Sequence, residues 1–415
     1  MVSLPADFVA ETRRIMGDDR FNRFLGAFDE EAPTSIRVNT RIDIEHGTLT
    51  IDHFDNQVPW CHEGYYLKDR PQFTFDPMLH AGCYYVQEAS SMFVTHILCN
   101  VQCSARLCRL APPRMFNVQC ALDACAAPGG KSTALRSVLP EDCVLVSNEP
   151  MGNRTQILLE NITKWGAPNC IVTNNYPRDF RKAKLKFDLI LCDVPCSGEG
   201  MFRKDPNAIS EWSVQNVEKC WQLQREIVAD AWECLNPGGL FIYSTCTFNT
   251  KENEENIKWI LENFDAEVLD IPVDPSWNIT GSLLEGFNYP VYRFIPGITR
   301  GEGLFVCALR KAGSAEPKPF NAKKLPLKVL EAEFPKGEVC VDVDYPEALK
   351  YLRGEALVLP ADTPKGIVTI TYKGQPLGPA KNIGNRANNL YPKAWRIKST
   401  HLPSKAPKVL GNVKM

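Results

Sequence analysis

Short apolar runs alternate with amphipathic stretches through the middle of this 415-residue chain, and this alternation restricts its fold more than any other feature. The apolar runs have the length of buried strands and lie at residues 121–125, 144–148, 171–173, 187–192 and 240–244. The stretches between them have helical spacing of apolar residues and lie at 131–138, 151–165, 214–235 and 251–264. Strands that alternate with helices predict a parallel, doubly wound sheet covered by helices on both faces.

The regions on either side of this core have other patterns. The elements predicted ahead of it are helices at residues 5–16 and 20–28, a strand at 34–40 and a helix at 87–98. Those predicted after it are antiparallel strands at 292–294 and 304–310, a linker at 312–319 and β-like runs at 356–359 and 366–372. These patterns divide the chain into three domains, at residues 1–75, 76–312 and 313–415.

Charge is distributed unevenly along the chain. The whole sequence has a formal net charge of −2, but residues 313–415 carry 17 Lys and Arg against 9 Asp and Glu, a net of +8. The rest of the chain carries 30 basic against 40 acidic residues. This asymmetry indicates a basic binding module attached to an acidic body, with a solvated basic surface as the alternative.

The 16 cysteines suit a reducing compartment. They are scattered within apolar runs of a long chain whose first residues lack the basic and apolar regions of a signal peptide. No run of about 18 apolar residues occurs, so no transmembrane helix is expected. We therefore expect reduced thiols in a cytosolic protein.

Three predicted strands end in residues that carry chemistry. Asp193-Val-Pro-Cys196-Ser-Gly and Ser244-Thr-Cys246-Thr-Phe-Asn each place a cysteine after a buried strand. The strand at 121–125 runs into a turn of small residues at 126–130. Because open α/β folds keep their active sites at the carboxyl edge of the sheet, we expect these segments to converge there.

The turn in Asp123-Ala-Cys-Ala-Ala-Pro-Gly-Gly-Lys-Ser132 has the character of a ligand loop. Small residues let the backbone approach a ligand, and amides at a helix start can bind a carboxylate. The turn fits neither the dinucleotide pattern G-x-G-x-x-G nor the Walker pattern. The next strand ends at Glu149, and an acid there commonly accepts hydrogen bonds from a ribose diol. Together these features suit S-adenosylmethionine, although Pro-Gly-Gly alone is typical of an ordinary turn.

Two thiols and an acid at one site suit methylation at carbon 5 of a pyrimidine. That carbon is a poor nucleophile toward a sulfonium, but a thiolate that adds at carbon 6 makes an enamine that can attack. The reaction also needs an acid site at N3 and a base for the proton of carbon 5, and Asp193, Cys196 and Cys246 match this requirement. A free thiol has a pKa of about 8.5, so either nearby positive charge or the sulfonium of the cofactor should activate the nucleophile. This chemistry does not choose between the two cysteines.

These three motifs resemble those of the Nop/Sun family of RNA cytosine-5 methyltransferases, over residues 21–311. Residues 377–392 resemble the C-terminal RNA-binding region of the bacterial RsmF-like branch, whose substrate is ribosomal RNA. The resemblance implies an α/β fold with a Rossmann-like, seven-stranded methyltransferase core. It also implies a small N-terminal α+β cap that binds RNA and a C-terminal, β-rich, PUA-like RNA-binding module.

The resemblance implies a role for each site residue. Cys246 would attack carbon 6, and Cys196 would help release the product by assisting removal of the carbon-5 proton, whereas DNA cytosine methyltransferases use the Pro-Cys thiol as nucleophile. Asp193 would hydrogen-bond the target base and lie beside the cofactor. The residues implied for binding S-adenosylmethionine are Cys125, Ala126, Ala127, Pro128, Gly129, Gly130, Lys131, Glu149, Arg154, Tyr176 and Asp193.

Two features depart from the family pattern. Tyr176 stands where the family usually has an acid near the adenine, and its ring could stack there. The segment 98–122 is longer than usual and contains four cysteines, Cys99, Cys103, Cys108 and Cys120. Their spacings miss the paired C-x2-C zinc pattern, so we expect no metal.

A cytosine in structured RNA must be unstacked before its face can be reached. Arg203 and Lys204, beside the catalytic loop, and Lys381 and Arg386, in the tail, are predicted to hold RNA phosphates, with surface salt bridges as the alternative. The aromatic residues among the tail cations, Tyr391 and Trp395, are assigned to the core of the tail module in preference to base stacking.

The sequence therefore predicts a cytosolic, S-adenosylmethionine-dependent cytosine-5 methyltransferase of ribosomal RNA, with 16S RNA as the expected substrate. We expect a monomer with an RNA partner and with neither a membrane nor a DNA partner. The alternatives are a tRNA cytosine-5 methyltransferase and a catalytically inactive rRNA-binding assembly factor. The intact set of Asp193, Cys196 and Cys246 argues against the inactive factor.

Overall fold

The computed structural model describes residues 3–41, 54–103, 118–315, 318, 320, 325, 327–331 and 337–410. Within these ranges, none of the helices combines the length and the apolar character that crossing a membrane requires. The described residues form an N-terminal region, a central α/β domain and a C-terminal module.

The N-terminal region combines helices with a four-stranded antiparallel sheet. Its elements are α1 (Ala6–Met16), α2 (Asp18–Gly26), β1 (Ser35–Val38), β2 (Phe54–Gln57), β3 (Gly64–Leu67), α3 (Pro77–His80) and β4 (Tyr84–Val86). The strand order is β2-β3-β1-β4. The two predicted helices and the predicted strand are confirmed, and the sheet continues to Val86. The domain boundary at residues 75 and 76 stays a prediction.

The central domain has the predicted alternation of strands and helices. Its first elements are α4 (Phe93–Cys103), β5 (Cys120–Asp123), α5 (Gly130–Val138), β6 (Val144–Asn148), α6 (Gly152–Trp165), β7 (Cys170–Thr173), α7 (Pro177–Lys182) and β8 (Phe187–Asp193). They are followed by α8 (Pro206–Glu211), α9 (Val214–Glu233), β9 (Leu235–Thr245), α10 (Glu254–Asn263), β10 (Ala266–Val268), β11 (Tyr292–Phe294) and β12 (Leu304–Lys311).

A mixed sheet forms the centre of this domain. Its order is β10-β12-β9-β8-β5-β6-β7, extended at the β7 edge by β13 (Val329–Leu330), while β11 pairs with β12. The strands from β7 to β9 are parallel, and β12 is antiparallel to β9 and β10. The predicted core strands are therefore confirmed. In the described part of the chain the sheet has nine strands, because it also contains the edge strands β10 and β13, which the sequence pattern did not reveal. Successive strands are added on one side of β5 as far as β7, and on its other side from β8 onward. Open α/β folds bind ligands outside the carboxyl ends of the strands at such a switch in strand order.

The predicted helix at 87–98 begins later than expected. Residues 87–89 precede it, and α4 starts only at Phe93. The carboxylate of Glu88 accepts hydrogen bonds from the backbone amides of Ser90 at 2.9 Å and Ser91 at 3.0 Å. It also accepts one from the amide of Glu302 at 2.8 Å. Glu88 thus satisfies the free amides ahead of the helix, the part that a capping residue plays.

Residues 236–239, Asn-Pro-Gly-Gly, have the composition of a turn after the long helix, but they lie within β9. The helix α9 ends earlier, at Glu233, and β9 begins at Leu235. The register between β8 and β9 shifts here, since Phe187 pairs with Leu235 and Leu189 with Leu240. These residues therefore form an irregularity in a strand, a position where proline and glycine are tolerated.

The C-terminal module is β-rich, as predicted. It consists of β14 (Val339–Asp342), α11 (Tyr345–Leu352), β15 (Gly366–Tyr372), β16 (Gln375–Asn382) and β17 (Ala387–Asn389). The predicted strand at 366–372 is confirmed. The run at 356–359 is not a strand, because Leu357 only bridges to Ala387.

The C-terminal module packs on the N-terminal sheet. One buried apolar cluster includes residues from both, among them Ile36, Tyr84, Leu352 and Ile370. The hydroxyl of Tyr345 donates to the carbonyl of Phe75 at 3.1 Å. The two regions that flank the central domain in sequence therefore share a hydrophobic core.

The first two helices pack on the loops that follow the cysteine motifs. Phe8 of α1 contacts Phe202 with ring centroids 5.0 Å apart. Phe24 of α2 contacts Phe248 at 5.1 Å. All four rings are buried. The N-terminal region thereby supports the edge of the sheet where the predicted site lies.

Candidate active site

The two predicted cysteines meet at the carboxyl edge of the sheet. Cys196 follows β8 and Cys246 follows β9, and their Sγ atoms are 3.2 Å apart. The amide of Cys246 also points to Cys196 Sγ at 3.4 Å. Both side chains are half-buried, so the pair is accessible from one side. The structure thus brings together the two motifs that lie fifty residues apart in sequence.

The two thiols differ in environment. The hydrogen bond with Cys246, followed by burial, raises the pKa of Cys196 well above its usual value. The charge of Cys246 acts in the same direction. Cys196 therefore holds its proton while Cys246 lies beside it, and it can donate that proton in a hydrogen bond to an anionic Cys246.

Asp193, Lys131 and Ser244 form a polar group next to the pair. Lys131 Nζ donates to Asp193 Oδ2 at 2.8 Å, and Ser244 Oγ donates to Asp193 Oδ1 at 2.7 Å. Burial opposes the charge on Lys131, but Asp193 and, to a smaller extent, Cys246 raise its pKa above the usual value. A lasting positive charge therefore lies near Cys246, as the sequence chemistry required of the nucleophile.

Glu199, three residues after Cys196, binds the loop of the other cysteine. One of its carboxylate oxygens accepts from the backbone amides of Phe248 at 2.7 Å and Asn249 at 3.0 Å. The other accepts from Trp212 Nε1 at 3.0 Å. Glu199 is 2% exposed, so these donors replace the water that its charge would otherwise bind.

Glu252, six residues after Cys246, binds the loop of Cys196 in return. Its Oε2 accepts from the amide of Ser197 at 3.0 Å and from Gln224 Nε2 at 2.6 Å. Asn249 Nδ2 donates to Glu252 Oε1 at 2.8 Å and to Glu199 Oε1 at 3.1 Å, which links the two acids. Burial, followed by the charge of Glu199, raises the pKa of Glu252 to about 7. We refer to Glu199, Asn249 and Glu252 as the carboxylate clasp.

Gly200 provides the closest approach between the two loops. Its amide donates to the carbonyl of Cys246 at 2.7 Å. A Cβ atom at this position would lie 2.6 Å from the same oxygen and 2.9 Å from Gly303 Cα. Both neighbours are backbone atoms, so the site requires glycine here.

The turn predicted to bind the cofactor is held from behind by side chains of α6. Arg154 Nη2 donates to the carbonyl of Ala127 at 2.8 Å, and Asn161 Nδ2 donates to that of Pro128 at 2.8 Å. Gly129 has φ 117° at the start of α5, a conformation that favours glycine. The turn is therefore fixed in shape, with small residues along it.

Two buried acids beside this turn each have one carboxylate oxygen without a hydrogen bond from the described residues. Glu149 Oε1 accepts from the amide of Met151 at 2.9 Å, but its Oε2 has no hydrogen bond among the described residues. Arg154 Nη1 is 3.6 Å away, which is an ion-pair distance. Asp123 accepts from Ser132 Oγ at 2.7 Å through one oxygen, while the other is likewise without a partner in the described chain. Such atoms fit the hydroxyl and ammonium donors of S-adenosylmethionine.

Tyr176 lies at the start of α7 and is 52% exposed. Its amide donates to Asp179 Oδ2 at 2.9 Å, which caps the helix. The guanidinium of Arg178 lies 4.8 Å from the centroid of its ring. The ring is available for stacking, and its contact with an adenine stays a prediction.

The four predicted RNA-binding residues lie in different environments. Lys204, Lys381 and Arg386 are exposed. The side chain of Arg203 is only 6% exposed and donates to Glu302 Oε1 at 2.9 Å and to the carbonyl of Glu30 at 3.1 Å. For Arg203 the geometry favours the salt-bridge alternative, because a buried and paired guanidinium cannot also hold a phosphate in solvent.

Other predicted residues are accounted for in part. Tyr391 is 2% exposed and packs in the C-terminal core, as expected. Of the cysteine-rich segment, Cys99 is exposed and Cys120 is buried against the Lys186 carbonyl. The side chain of Cys103 and all of Cys108 lie outside the described residues. Among the residues that are described, no group of three or more potential ligands could hold a metal ion.

The sequence reasoning missed the carboxylate clasp. Its signal is an acid shortly after each cysteine, Glu199 and Glu252, in segments that also contain buried aromatic residues. The sequence pattern places Lys131 in the cofactor turn, but its ion pair with Asp193 depends on the order of the strands in the sheet.

Comparison with known proteins identifies the relatives of this chain. Residues 111–310 match the family described as 16S rRNA methyltransferase RsmB/F. Residues 4–89 match the N-terminal domain of 16S rRNA methyltransferase RsmF, and residues 338–397 match the methyltransferase RsmF PUA domain.

Two curated relatives carry the name ribosomal RNA small subunit methyltransferase F. The protein of Pectobacterium atrosepticum is 35% identical over 78% of this chain and 66% of its own length. That of Cronobacter sakazakii is 33% identical over 80% of this chain and 69% of its own length. The chain thus matches about two thirds of the length of these relatives.

Among solved structures, a methyltransferase homolog protein from Pyrococcus horikoshii has a TM-score of 0.61 and 27% identity. The match covers 75% of this chain and 96% of that one. The likeness in fold is consistent with the central domain described above.

We predict that Gly200→Ala disturbs the site while leaving the fold intact. The added Cβ must displace the Cys246 carbonyl or Gly303, and such overpacking costs about 1–3 kcal/mol in the free energy of unfolding. Urea unfolding would measure this loss, and the rate of iodoacetamide labelling would report the displacement of Cys246. Gly281→Ala is the control, since a Cβ there meets no atom within 4 Å. Equal stability and labelling for both variants would contradict the close approach.

Proposed function

The chain belongs to the family of 16S rRNA methyltransferases RsmB/F, and on that premise we propose that it methylates carbon 5 of a cytosine in ribosomal RNA through a covalent cysteine–cytosine adduct. The observation that carries this proposal is the pair of thiols 3.2 Å apart. A methyl transfer without a covalent adduct would not require two cysteines at one site. In the proposed carbon-5 methylation, one cysteine forms a bond to carbon 6 of the base, and the other helps to break that bond.

The cofactor that fits the proposal is S-adenosylmethionine, which supplies an electrophilic methyl group when bound. Residues 125–131 would surround its amino-acid end, and Glu149 Oε2 would accept from its ribose. Arg154 supports this arrangement by holding the carbonyl of Ala127. Tyr176 and Asp193 complete the proposed set.

Cys246 is the proposed nucleophile. Cys196 retains its own proton and can donate a hydrogen bond to Cys246, and the charged Lys131 lies near Cys246. The protonated neighbour and the nearby cation together support Cys246 as the proposed nucleophile. This asymmetry supports, from physical chemistry, the assignment that the sequence alone left to family resemblance.

Asp193 is proposed to orient the target base. Lys131 and Ser244 each donate to one of its oxygens, so its carboxylate has a fixed direction. The side chain is 29% exposed, which leaves lone pairs free to accept from the amino group and a protonated N3 of a cytosine. The thiolate of Cys246 then adds to carbon 6, and carbon 5 takes the methyl group.

Product release requires loss of the carbon-5 proton and cleavage of the bond between carbon 6 and sulfur. Once Cys246 is bonded to carbon, its hydrogen bond and its charge no longer hold the proton on Cys196, and only burial and Glu252 still oppose ionisation. Cys196 can then release its proton to solvent and, as a thiolate, accept the carbon-5 proton. The electrons of the C–H bond restore the double bond between carbons 5 and 6, and those of the C–S bond return to Cys246 as a thiolate. We propose this as the role of Cys196.

RNA is proposed to contact three exposed cations, Lys204 beside the catalytic loop and Lys381 and Arg386 on the C-terminal module. Because Arg203 is buried and paired, we assign it to the support of the catalytic loop. The proposal of ribosomal RNA follows from the names of the relatives and from the PUA domain match. A tRNA substrate and an inactive assembly factor remain the alternatives.

We expect the two cysteine variants to fail at different steps. Cys246→Ala should abolish transfer of tritium from labelled S-adenosylmethionine to ribosomal RNA, because no adduct can form. Cys196→Ala should accumulate a covalent protein–RNA adduct that survives a denaturing gel. Cys340→Ala, which changes an exposed thiol of the C-terminal module, is the control for both. Absence of transfer by the folded parent protein would favour the assembly factor, and absence of the adduct would contradict the role of Cys196.

Glu149→Ala should weaken binding of S-adenosylmethionine about tenfold or more, since a hydrogen bond to a charged group contributes roughly 1.5–3 kcal/mol. Isothermal titration calorimetry measures this without RNA. Glu262→Ala, on an exposed face of α10, should bind like the parent protein. Equal affinities for all three proteins would remove Glu149 from the cofactor site.

Bisulfite sequencing of ribosomal and transfer RNA, from cells with and without the gene, should locate the target. We expect a 5-methylcytosine in 16S RNA that disappears with the gene and returns when the parent protein is expressed from a plasmid. Loss of a methylcytosine from tRNA alone would support the tRNA alternative. The Cys246→Ala protein should not restore the mark.

A further inference from the structure

Two chemically identical thiols in contact raise the question of what decides which of them becomes the anion. The titratable groups that face Cys196 are Cys246, Glu252 and Tyr243. Those that face Cys246 include Lys131 and Cys220. Asp193 lies on the same side as Lys131, because it pairs with Lys131 and accepts from Ser244. An acid that has no ion pair in the described part of the chain thus lies toward Cys196, whereas the cation and the acid toward Cys246 form a pair.

Glu252 is joined to both neighbours of Cys196 in the chain. Its Oε2 accepts from the amide of Ser197, and it shares Gln224 Nε2 with the carbonyl of Pro195. The hydroxyl of Tyr243 donates to the carbonyl of Glu252, which fixes its backbone. Glu252 is fully buried, so neither its position nor its charge is relaxed by water.

We propose that Glu252 is a positioning residue that holds Cys196 against Cys246 and keeps the proton on Cys196, so that the reactive anion forms on Cys246. This inference rests on the proposed function, because it explains the choice of nucleophile in that reaction. Glu252 touches neither the base nor the cofactor in this role. It acts through the thiol whose loop it binds.

The negative charge of Glu252 favours the protonated form of Cys196. A carboxylate near a thiol disfavours the thiolate, and Glu252 adds to the effects of Cys246 and of burial in raising the pKa of Cys196. The pKa of Glu252 itself is about 7, raised by burial and then by Glu199. Glu252 is therefore ionised at the alkaline pH at which thiols titrate, and its charge is present when it matters.

Glu199 offers a matched control within the carboxylate clasp. It is similarly buried and accepts two backbone hydrogen bonds where Glu252 accepts one, but they come from Phe248 and Asn249 in the loop of Cys246. Replacing Glu199 by Gln should disturb the junction of the loops to a similar degree. It leaves the carboxylate next to Ser197 in place.

The test is the pH dependence of iodoacetamide labelling at Cys196, followed by peptide mass spectrometry. Full-length protein with Cys246→Ser is the parent, because the second thiol would otherwise compete for the reagent. In this parent, the further substitution Glu252→Gln should lower the midpoint pH of the labelling curve of Cys196. It should also raise the labelling rate at pH 8 severalfold. Adding Glu252→Asp, which keeps the charge, or Glu199→Gln should leave the midpoint near that of the parent.

Identical midpoints for the parent and Glu252→Gln would overturn the proposal, as would an equal shift from Glu199→Gln. If circular dichroism shows that the Glu252→Gln protein is unfolded, the labelling curve of the parent protein alone still tests the proposal. As Glu252 ionises near pH 7, the rise of labelling rate with pH should flatten there before it resumes. A single unbroken thiol titration curve from pH 6 to 10 would contradict a charge on Glu252 acting on Cys196.

The rate of methyl transfer provides a second test, in protein that retains Cys246. Glu252→Gln should lower kcat and leave KM for RNA unchanged, because the altered thiol pair acts after binding. The labelling experiment needs neither RNA nor cofactor. Failure of the proposed function would therefore show as absent methyl transfer with the labelling shift intact, whereas failure of this inference would show as normal transfer with coincident labelling curves.

Discussion

Two buried carboxylates hold the catalytic edge of this protein together, because each is satisfied by backbone amides of the opposite loop. Glu199 and Glu252 follow different strands, and each accepts part of its hydrogen bonds from amides that its own loop does not supply. Leaving such a charge buried and unpaired costs several kcal/mol. The two loops are therefore stable only when packed together, and the contact between Cys196 and Cys246 depends on that packing. The helices α1 and α2 cover the same junction through Phe8 and Phe24.

The same interactions explain why two cysteines at one site need not be equivalent. An environment that was uniform would give both thiols the same tendency to ionise. Here Lys131 lies toward one and Glu252 toward the other, so the electrostatic difference is part of the fold. Asp193 connects this arrangement to the cofactor turn through its ion pair with Lys131. The groups proposed for cofactor binding, nucleophilic attack and product release are thus in mutual contact.

The sequence predicted the alternating core and the convergence of the cysteine motifs, because apolar periodicity and strand ends are local signals. It missed β10, whose three residues are partly exposed and include Glu267. It placed the start of α4 too early because Glu88, whose carboxylate binds the amides of Ser90 and Ser91, is itself held by the amide of the distant Glu302. It assigned Arg203 to RNA because its partner, Glu302, lies 99 residues away. Each error concerns a residue whose role is decided by long-range packing rather than by its neighbours in the chain.

The shared core of the N-terminal sheet and the C-terminal module has a consequence for how RNA is engaged. A module attached only by a linker would search a volume set by linker length, and its effect would be an increase in local concentration. A module packed through Ile36, Leu352 and Ile370 instead keeps a constant distance from the catalytic pair. If Lys381 and Arg386 bind RNA as proposed, their distance from the catalytic pair is therefore fixed. An RNA would then have to span that distance in its folded shape to present its target base, so its tertiary structure would become part of substrate selection.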